Sequence, residues 1–476
     1  MKHKILVWFR QDLRLSDNPA LHQAAQEGTV VPVYIFDKDS KAVSALGSAS
    51  RWWLHQSLEK LSEQLEGKLN FYSGNPEKII GKIVKDLAIT AVYFNRCYEP
   101  DHIAQDVAIK AHLEKMGIVC ITFNGSLLWE PWQTLKKDGT PYKVFTPFFR
   151  NGCLNGPTPR QPLPAPSSLS LVKDTHADHA VKALKLIQEP ERFDMLNEVW
   201  VCGEKEAQKK LKSFIKKGLQ GYKEGRNFPS RPNVSRLSPH LHFGEISPHQ
   251  IWHAVNSSSA QSDVPAADRA NFLTEIAWRE FSYSLLFYFP ELPRKNFQEK
   301  FDGFAWHKNA AHLKAWQEGK TGYPIVDAGM RELLQTGYMH NRVRMIVGSF
   351  LVKNLLIHWH EGADWFWDNL VDADLASNSA SWQWVAGSGA DAAPYFRVFN
   401  PITQGERFDK EGEYTLRFVP ELKNLPKKYL FSPWTAPQEI LRASGIVLGK
   451  TYPYPLVDVA ESRALALSSY KKLSQK

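Results

Sequence analysis

Cysteine is scarce in this chain. Its 476 residues include four, Cys97, Cys120, Cys153 and Cys202, widely spaced and without a CxxC pair. That excludes a disulfide-stapled scaffold and a paired-cysteine zinc or redox motif; the thiols read as reduced and cytosolic, with no metal cluster. No GxGxxG follows the first apolar run, so the usual dinucleotide fingerprint is missing. Long apolar runs are missing too. The most apolar stretch, MIVGSFLVKNLLIHW, is interrupted by Lys353 and reads as a buried helix, not a membrane span. The apolar run in MKHKILVWFRQD is too short for a signal peptide and leads into charge, so a cytoplasmic protein is expected. Acidic residues are in deficit, 50 against 59 Lys and Arg, a net charge of +9. No internal repeat is visible.

What the chain has in quantity is tryptophan, 16 residues, within an otherwise ordinary soluble composition of 43% hydrophobic and 23% charged residues. The basic balance favours an anionic partner such as nucleic acid. The length suits two or three domains with a large core.

Residues 1–130 alternate short apolar runs with amphipathic segments. KILVWF, VVPVYIF, KLNFYSG, AVYFN and VCITFNG read as strands, and RWWLHQSLEKLSEQLEG and DHIAQDVAIKAHLEKMG as helices. That alternation predicts an α/β domain with a doubly wound, Rossmann-like parallel sheet. Residues 131–200, with the Pro- and Ser-rich NGPTPRQPLPAPSSLSL, read as a long interdomain linker. From 201 to 476 the helical period dominates, which predicts an all-α domain. Its basic run QKKLKSFIKK reads as one solvated helix face.

Several polar constellations stand out in the helical half. Glu275, Trp278 and Arg279 are spaced i, i+3, i+4 and share a helix face, a set suited to a flat ligand with imide edges. Ser235, Arg236 and Ser238 precede a helical segment, as in an anion site or a plain N-cap. Asn341 and Met345, and His340 and Arg344, are i, i+4 pairs on neighbouring faces. Asp372, Asp374 and Asn378 precede Trp382 on one predicted helix, with Asp374, Asn378 and Trp382 forming a stripe. No third carboxylate accompanies the Asp pair, which argues against a metal. So many carboxylates, amides and arginines beside Trp359, Trp382 and Trp384 predict a polar, aromatic-lined pocket for a large planar ligand.

From WFRQDLRLSDNPAL to near its end, and most densely in DADLASNSASWQWVAGSGADAAPYFRVFNPITQGERF, the sequence resembles the photolyase/cryptochrome family, closest to bacterial class I enzymes that repair cyclobutane pyrimidine dimers. The resemblance implies a reduced, anionic, U-shaped FAD held by Tyr222, Val234, Ser235, Arg236, Leu237, Ser238, Arg344, Asp372, Ala373, Asp374 and Asn378. Val234 stands where the class I pattern has Thr. Asn378 would lie beside flavin N5, and Arg344 would face the flavin and pair with Asp372. Trp306, Trp359 and Trp382 match the family's electron-transfer chain. Arg226, Glu275, Trp278, Arg279, Asn341, Arg342, Met345, Trp384, Arg397 and Gln404 would meet the DNA and its dimer, with Glu275 and Asn378 in catalytic roles. Enzymes that repair 6-4 photoproducts carry two histidines at the positions of Asn341 and Met345, which favours cyclobutane dimers here. Glu99 matches a folate-contacting residue of some relatives, so the implied antenna is 5,10-methenyltetrahydrofolate, with 8-hydroxy-deazaflavin the alternative. The resemblance implies a monomeric deoxyribodipyrimidine photo-lyase acting on ultraviolet-damaged DNA. The alternative is a cryptochrome-type blue-light photoreceptor, which the end at Lys476, without a long tail, disfavours.

Overall fold

A computed structural model describes residues 3–38, 42–395 and 397–473. By packing, the chain divides into two compact units. One comprises Met1–Gln220, Ser235–Pro290 and Asp374–Ala376; the other comprises Gly221–Val234, Glu291–Ala373 and Ser377–Lys476.

The first unit is built on the five strands read from the sequence: β1 (Lys4–Phe9), β2 (Thr29–Phe36), β3 (Asn70–Ser73), β4 (Ala91–Asn95) and β5 (Val119–Phe123). They pair in parallel in the order β3-β2-β1-β4-β5. The central strand sets Leu6 beside both Val31 and Val92. Helices α1 (Pro19–Glu27), α2 (Ser48–Gln64), α3 (Pro76–Asp86) and α4 (Pro100–Lys115) connect them. The sequence reading identified α2 and α4. The other two carry a start signal it did not use, an Asn-Pro step in which Asn18 caps Leu21 and Asn75 caps Lys78. A core of Leu6, Trp8, Val31, Val33, Val92 and Phe94 packs against Ile80, Ile83, Ile109 and Leu113. The strand order reverses between β1 and β4, so their C-terminal ends open the crevice where sheets of this kind take ligands.

The same unit includes the long helix Ala266–Tyr288 and the segment around Gly244. Gly244 has φ +66, and a Cβ there would stand 2.0 Å from the Gln11 carbonyl oxygen. Only glycine allows this close approach, which lets buried Arg14 donate to the Gly244 carbonyl at 2.8 Å.

The second unit is helical. Its core gathers Trp316, Met330, Val343, Val347, Leu351, Trp359, Phe366 and Trp382. Among the described residues, no strand follows β5; only isolated bridges do. No helix among them is long and apolar enough to cross a membrane.

Two sequence expectations about helices need correction. The run MIVGSFLVKNLLIHW is not one helix: an α-helix, Asn341–Ser349, passes into a π-helical turn, Phe350–Asn354, and stops at Leu356, whose φ is +54. A new helix, Trp359–Asn369, begins with His358 as its cap. Likewise Asp372 and Asp374 do not share a helix with Asn378 and Trp382. That helix spans Leu375–Ala386, and the two carboxylates lie in the turn before it. Side-chain spacing carries no mark of such a break, because a carboxylate bonded outside the helix leaves the apolar period unchanged.

Candidate cofactor and DNA site

In the second unit, the Arg344 guanidinium bridges both oxygens of buried Asp372, at 3.0 and 2.8 Å, and its Nε donates to the Met339 carbonyl at 2.7 Å. The expected pair is therefore present, with an orientation fixed from two sides. Asn378 lies on the Leu375–Ala386 helix, and its Nδ2 donates to the Ala363 carbonyl at 3.1 Å. With one of its two N–H donors committed, the amide still offers a ligand its carbonyl oxygen, an acceptor. Tyr222 is buried, with the Arg226 guanidinium 5.7 Å from its ring centre.

Trp359 and Trp382 sit in that unit's core, and half-buried Trp306 packs against it. Trp359 is buried and donates to Asn296 at 3.0 Å. The His358 ring lies 5.1 Å from Trp306 and 5.7 Å from Trp359, contacting both. Trp382 packs edge-on against Phe366 at 5.0 Å and Trp316 at 6.3 Å. Gly362 makes room for it: a Cβ at that position would stand 2.1 Å from the Trp382 indole. Gln383, which the sequence reading did not single out, ties the same helix to the distant segment 292–297. Its side chain donates to the Leu292 and Lys295 carbonyls and accepts from Phe297 N.

Arginines of the second unit converge. Arg342 lies 4.5 Å from the Phe408 ring centre, beside Asn227, to which it donates. Burial, then Arg226, Arg397 and Arg407, lower its affinity for its proton. A polyanion would relieve that repulsion. Arg407 was not in the sequence-derived set, although it shares the Pro401–Phe408 helix with Gln404. Asn341 is exposed at the start of its helix and Met345 is half-buried one turn on. Trp384 is half-buried. Buried Lys353 donates to the carbonyl of exposed Arg397 at 3.1 Å.

In the first unit, buried Asp374 accepts a hydrogen bond from Tyr283 and faces His242 Nδ1 at 3.7 Å. Burial would raise its pKa, but His242, Arg279 and Tyr283 outweigh this and hold it well below the usual carboxylate range. His242 is buried and neither ring nitrogen has a hydrogen-bond partner. Tyr283 and His242 were not singled out in the sequence, since neither stands at a recognisable spacing from Asp374. Arg236 has φ +52 and places its guanidinium 4.8 Å from the Trp200 ring centre. The helix that follows, Ser238–His242, starts at Leu237 without a side-chain cap, so plain N-capping does not explain the serines.

Glu275, Trp278 and Arg279 all fall on the Ala266–Tyr288 helix. Trp278 stacks on Phe145, with ring centres 3.9 Å apart and planes 7° apart. Arg279 turns inward: it donates to the Ser126 carbonyl and to Glu280, over the Tyr283 ring. Glu280 is itself buried and accepts from Leu128 N and Trp129 N. Glu99 follows β4 at the sheet's switch point, where Gln11, just after β1, donates to it at 2.8 Å.

The second unit presents what a flavin ring needs, a fixed Arg–Asp pair and an acceptor amide. FAD therefore fits the side chains present. The comparisons agree. Residues 5–167 match the family model for DNA photolyase, and residues 272–472 match the FAD binding domain of DNA photolyase. The chain is 49% identical to a deoxyribodipyrimidine photo-lyase of Agrobacterium fabrum, over 98% of this chain and 97% of that one. It is 38% identical to cryptochrome-2 of Arabidopsis thaliana, over 98% of this chain and 78% of that one. A crystal structure of a class III photolyase from Agrobacterium tumefaciens superposes with a TM-score of 0.95 at 48% identity, covering 100% and 98% of the two chains. Class III is a branch the sequence reading did not name. The chain belongs to the photolyase/cryptochrome family and carries its FAD-binding domain.

Proposed function

We propose that this protein is a light-driven DNA repair enzyme acting on cyclobutane pyrimidine dimers. The observation that carries the reading is the gathering of Arg226, Arg397 and Arg407 around Arg342, whose mutual repulsion suits a phosphate backbone. Near relatives named as photo-lyases support it.

FAD would be held by Tyr222, Val234, Ser235, Arg236, Leu237, Ser238, Arg344, Asp372, Ala373, Asp374 and Asn378. Reduced, anionic FAD held by these residues would supply light-driven one-electron chemistry for opening the cyclobutane ring, redox-neutral overall. The chain's own residues do the placing. Arg344, neutralised by Asp372, orients the cofactor without adding net charge. The Asn378 carbonyl would accept a hydrogen bond from a flavin N–H without adding a negative charge. Trp306, Trp359 and Trp382 provide oxidisable rings for recharging the cofactor. Glu275, Trp278, Asn341, Met345 and Trp384 receive the flipped-out dimer. Flipping costs a few kcal/mol, less for a lesion than for an intact pair. Arg226, Arg342, Arg397 and Gln404 hold the strand, which fixes position but not lesion identity. Because Arg279 is bonded inward, we assign it to shaping this face. Glu99 is proposed to contact the antenna, a methenyltetrahydrofolate or, failing that, a deazaflavin. The protein is proposed to act as a cytoplasmic monomer.

A photoreceptor role is the second reading, favoured by the 38% identity to a cryptochrome. One experiment separates the two. The chemically reduced protein is illuminated with an oligonucleotide carrying a cyclobutane thymine dimer, beside a dark control. Repair in the light alone supports the enzyme; no loss of dimer, in a protein whose oxidised flavin is nevertheless bleached by blue light in a parallel sample, supports the photoreceptor.

A further inference from the structure

At the switch point of the sheet, immediately after β4, three side chains of different chemistry converge. Cys97, Glu99 and His102 offer a sulfur, a carboxylate oxygen and an imidazole nitrogen, all within 4.8 Å of one another. They lie on one turn and the first turn of α4, in the spacing C-x-E-x-x-H. Cys97 and Glu99 are buried at 5% and 1% exposure, while the His102 side chain keeps 27%. We propose that this turn is a site for a soft divalent cation of the Zn2+ type, with Cys97 Sγ, a Glu99 oxygen and His102 Nδ1 as ligands and water completing the shell. This departs from the expectation, drawn from cysteine spacing, of no metal, and an ion held here would replace the antenna contact proposed for Glu99.

The donor set decides the class of ion. Thiolate and imidazole beside one carboxylate suit Zn2+ or Co2+, whereas Mg2+ and Ca2+ take oxygen ligands. The surroundings are arranged as metal sites usually are. Gln11 Nε2 holds one Glu99 oxygen at 2.8 Å, and Tyr98 N donates to the other at 3.1 Å, so the carboxylate is fixed. The nearby Arg10 is neutralised by Asp106, to which it donates twice, and also donates to the Asn95 carbonyl. With a thiolate, a carboxylate and a neutral imidazole, the dication is neutralised by its own ligands. The partly exposed His102 leaves a path for the ion.

Without an ion, Glu99 and His102 form an ion pair at 3.2 Å. Burial works against both charges, but the His102 and Gln11 contacts hold the Glu99 carboxyl down at about 2. Cys97 and Glu99 likewise keep the imidazole well above its ordinary value despite burial. Burial raises the Cys97 thiol. Metal binding through a thiolate would displace the thiol proton to solvent.

The test uses full-length protein with oxidised flavin, in the dark. Protein purified without chelator is analysed for zinc, then stripped and titrated with Co2+ alone. Expected are stoichiometric zinc and the visible bands of tetrahedral cobalt, at wavelengths beyond the absorption of oxidised flavin. Cys97→Ser should abolish the bands, and His102→Gln should weaken Co2+ binding at least roughly tenfold, since losing a direct ligand costs no less than losing an outer-shell partner. Circular dichroism confirms that each variant is folded. Absence of both zinc and cobalt bands in the folded parent overturns the proposal without any variant. Equal Co2+ binding by parent and both folded variants also overturns it, since the ion would then sit elsewhere. None of these readings depends on repair activity.

Discussion

At the scale of single residues, the amide of Asn378 is the most informative group. Its nitrogen is tied to the Ala363 carbonyl, so its oxygen is the available acceptor. That oxygen would favour a reduced flavin, which carries an N–H where the oxidised ring does not. Asn378→Ser should keep FAD but shift its two-electron potential roughly 20–40 mV more negative, the equivalent of one hydrogen bond. A redox titration reads this, and an unchanged potential would remove Asn378 from the flavin. Trp382 is tested differently. Trp382→Phe keeps an aromatic ring against Phe366 and Trp316 but loses the oxidisable indole. Photoreduction of bound flavin should slow sharply, while protein reduced chemically repairs as before. Parallel losses in both assays would mean the indole only fills the core. The Arg344–Asp372 pair was expected from the sequence through the family resemblance, and the polar residues beside it stood out because a core does not normally need them. His242 and Tyr283 were not legible, because their meaning depends on Asp374 lying beside them in space.

At the scale of elements, the sequence revealed helices and strands better than their interruptions. Apolar periodicity continues through Leu356, where the backbone turns left-handed, and a composition scan has no access to φ. The interruption places Lys353 inside the core with its ammonium on the Arg397 carbonyl. Burial, and then Arg397, pull its pKa down to about 8. Between that value and the ordinary lysine range near ~10.4, the unfolded chain binds the extra proton, so stability rises with pH across this window. Set against Lys353→Met, the parent should gain up to about 3 kcal/mol on going from pH 7 to pH 10. Urea unfolding of both proteins across the window measures it, and a difference that does not change with pH would contradict the buried charge. Gly362 gives a steric counterpart. The missing Cβ is what admits the Trp382 ring, so Gly362→Ala should displace that indole and cost about 1–3 kcal/mol. Photoreduction should slow with it. Parent-like stability and rate would show that the helix shifts to absorb the methyl.

At the scale of the whole molecule, the parallel sheet and the helical remainder were both readable, since each rests on local periodicity. That Ser235–Pro290 packs with the sheet was not readable, because it depends on Gly244 meeting the Gln11 loop far away in sequence. The net charge of +9 was also visible, but only the structure gathers Arg226, Arg397 and Arg407 around Arg342. This distinction separates two kinds of DNA contact that composition merges. Arginines that neutralise phosphates release counterions whatever the bases are, so Arg342→Ala should weaken binding to damaged and intact duplexes alike. The slope of log affinity against log salt should fall by about one counterion. Glu275 carries the opposite charge on the Ala266–Tyr288 helix and gains nothing from phosphate. If it accepts an imide N–H of the dimer, Glu275→Ala should cost about 1.5–3 kcal/mol for the lesion, roughly ten- to a hundredfold. Affinity for intact duplex and the salt slope should stay where they were. A salt series with both duplexes and both variants resolves the two contributions. Equal loss of damaged and intact binding in Glu275→Ala would mean that this carboxylate supports the helix rather than reading the lesion, leaving Trp278, Asn341, Met345 and Trp384 to carry recognition.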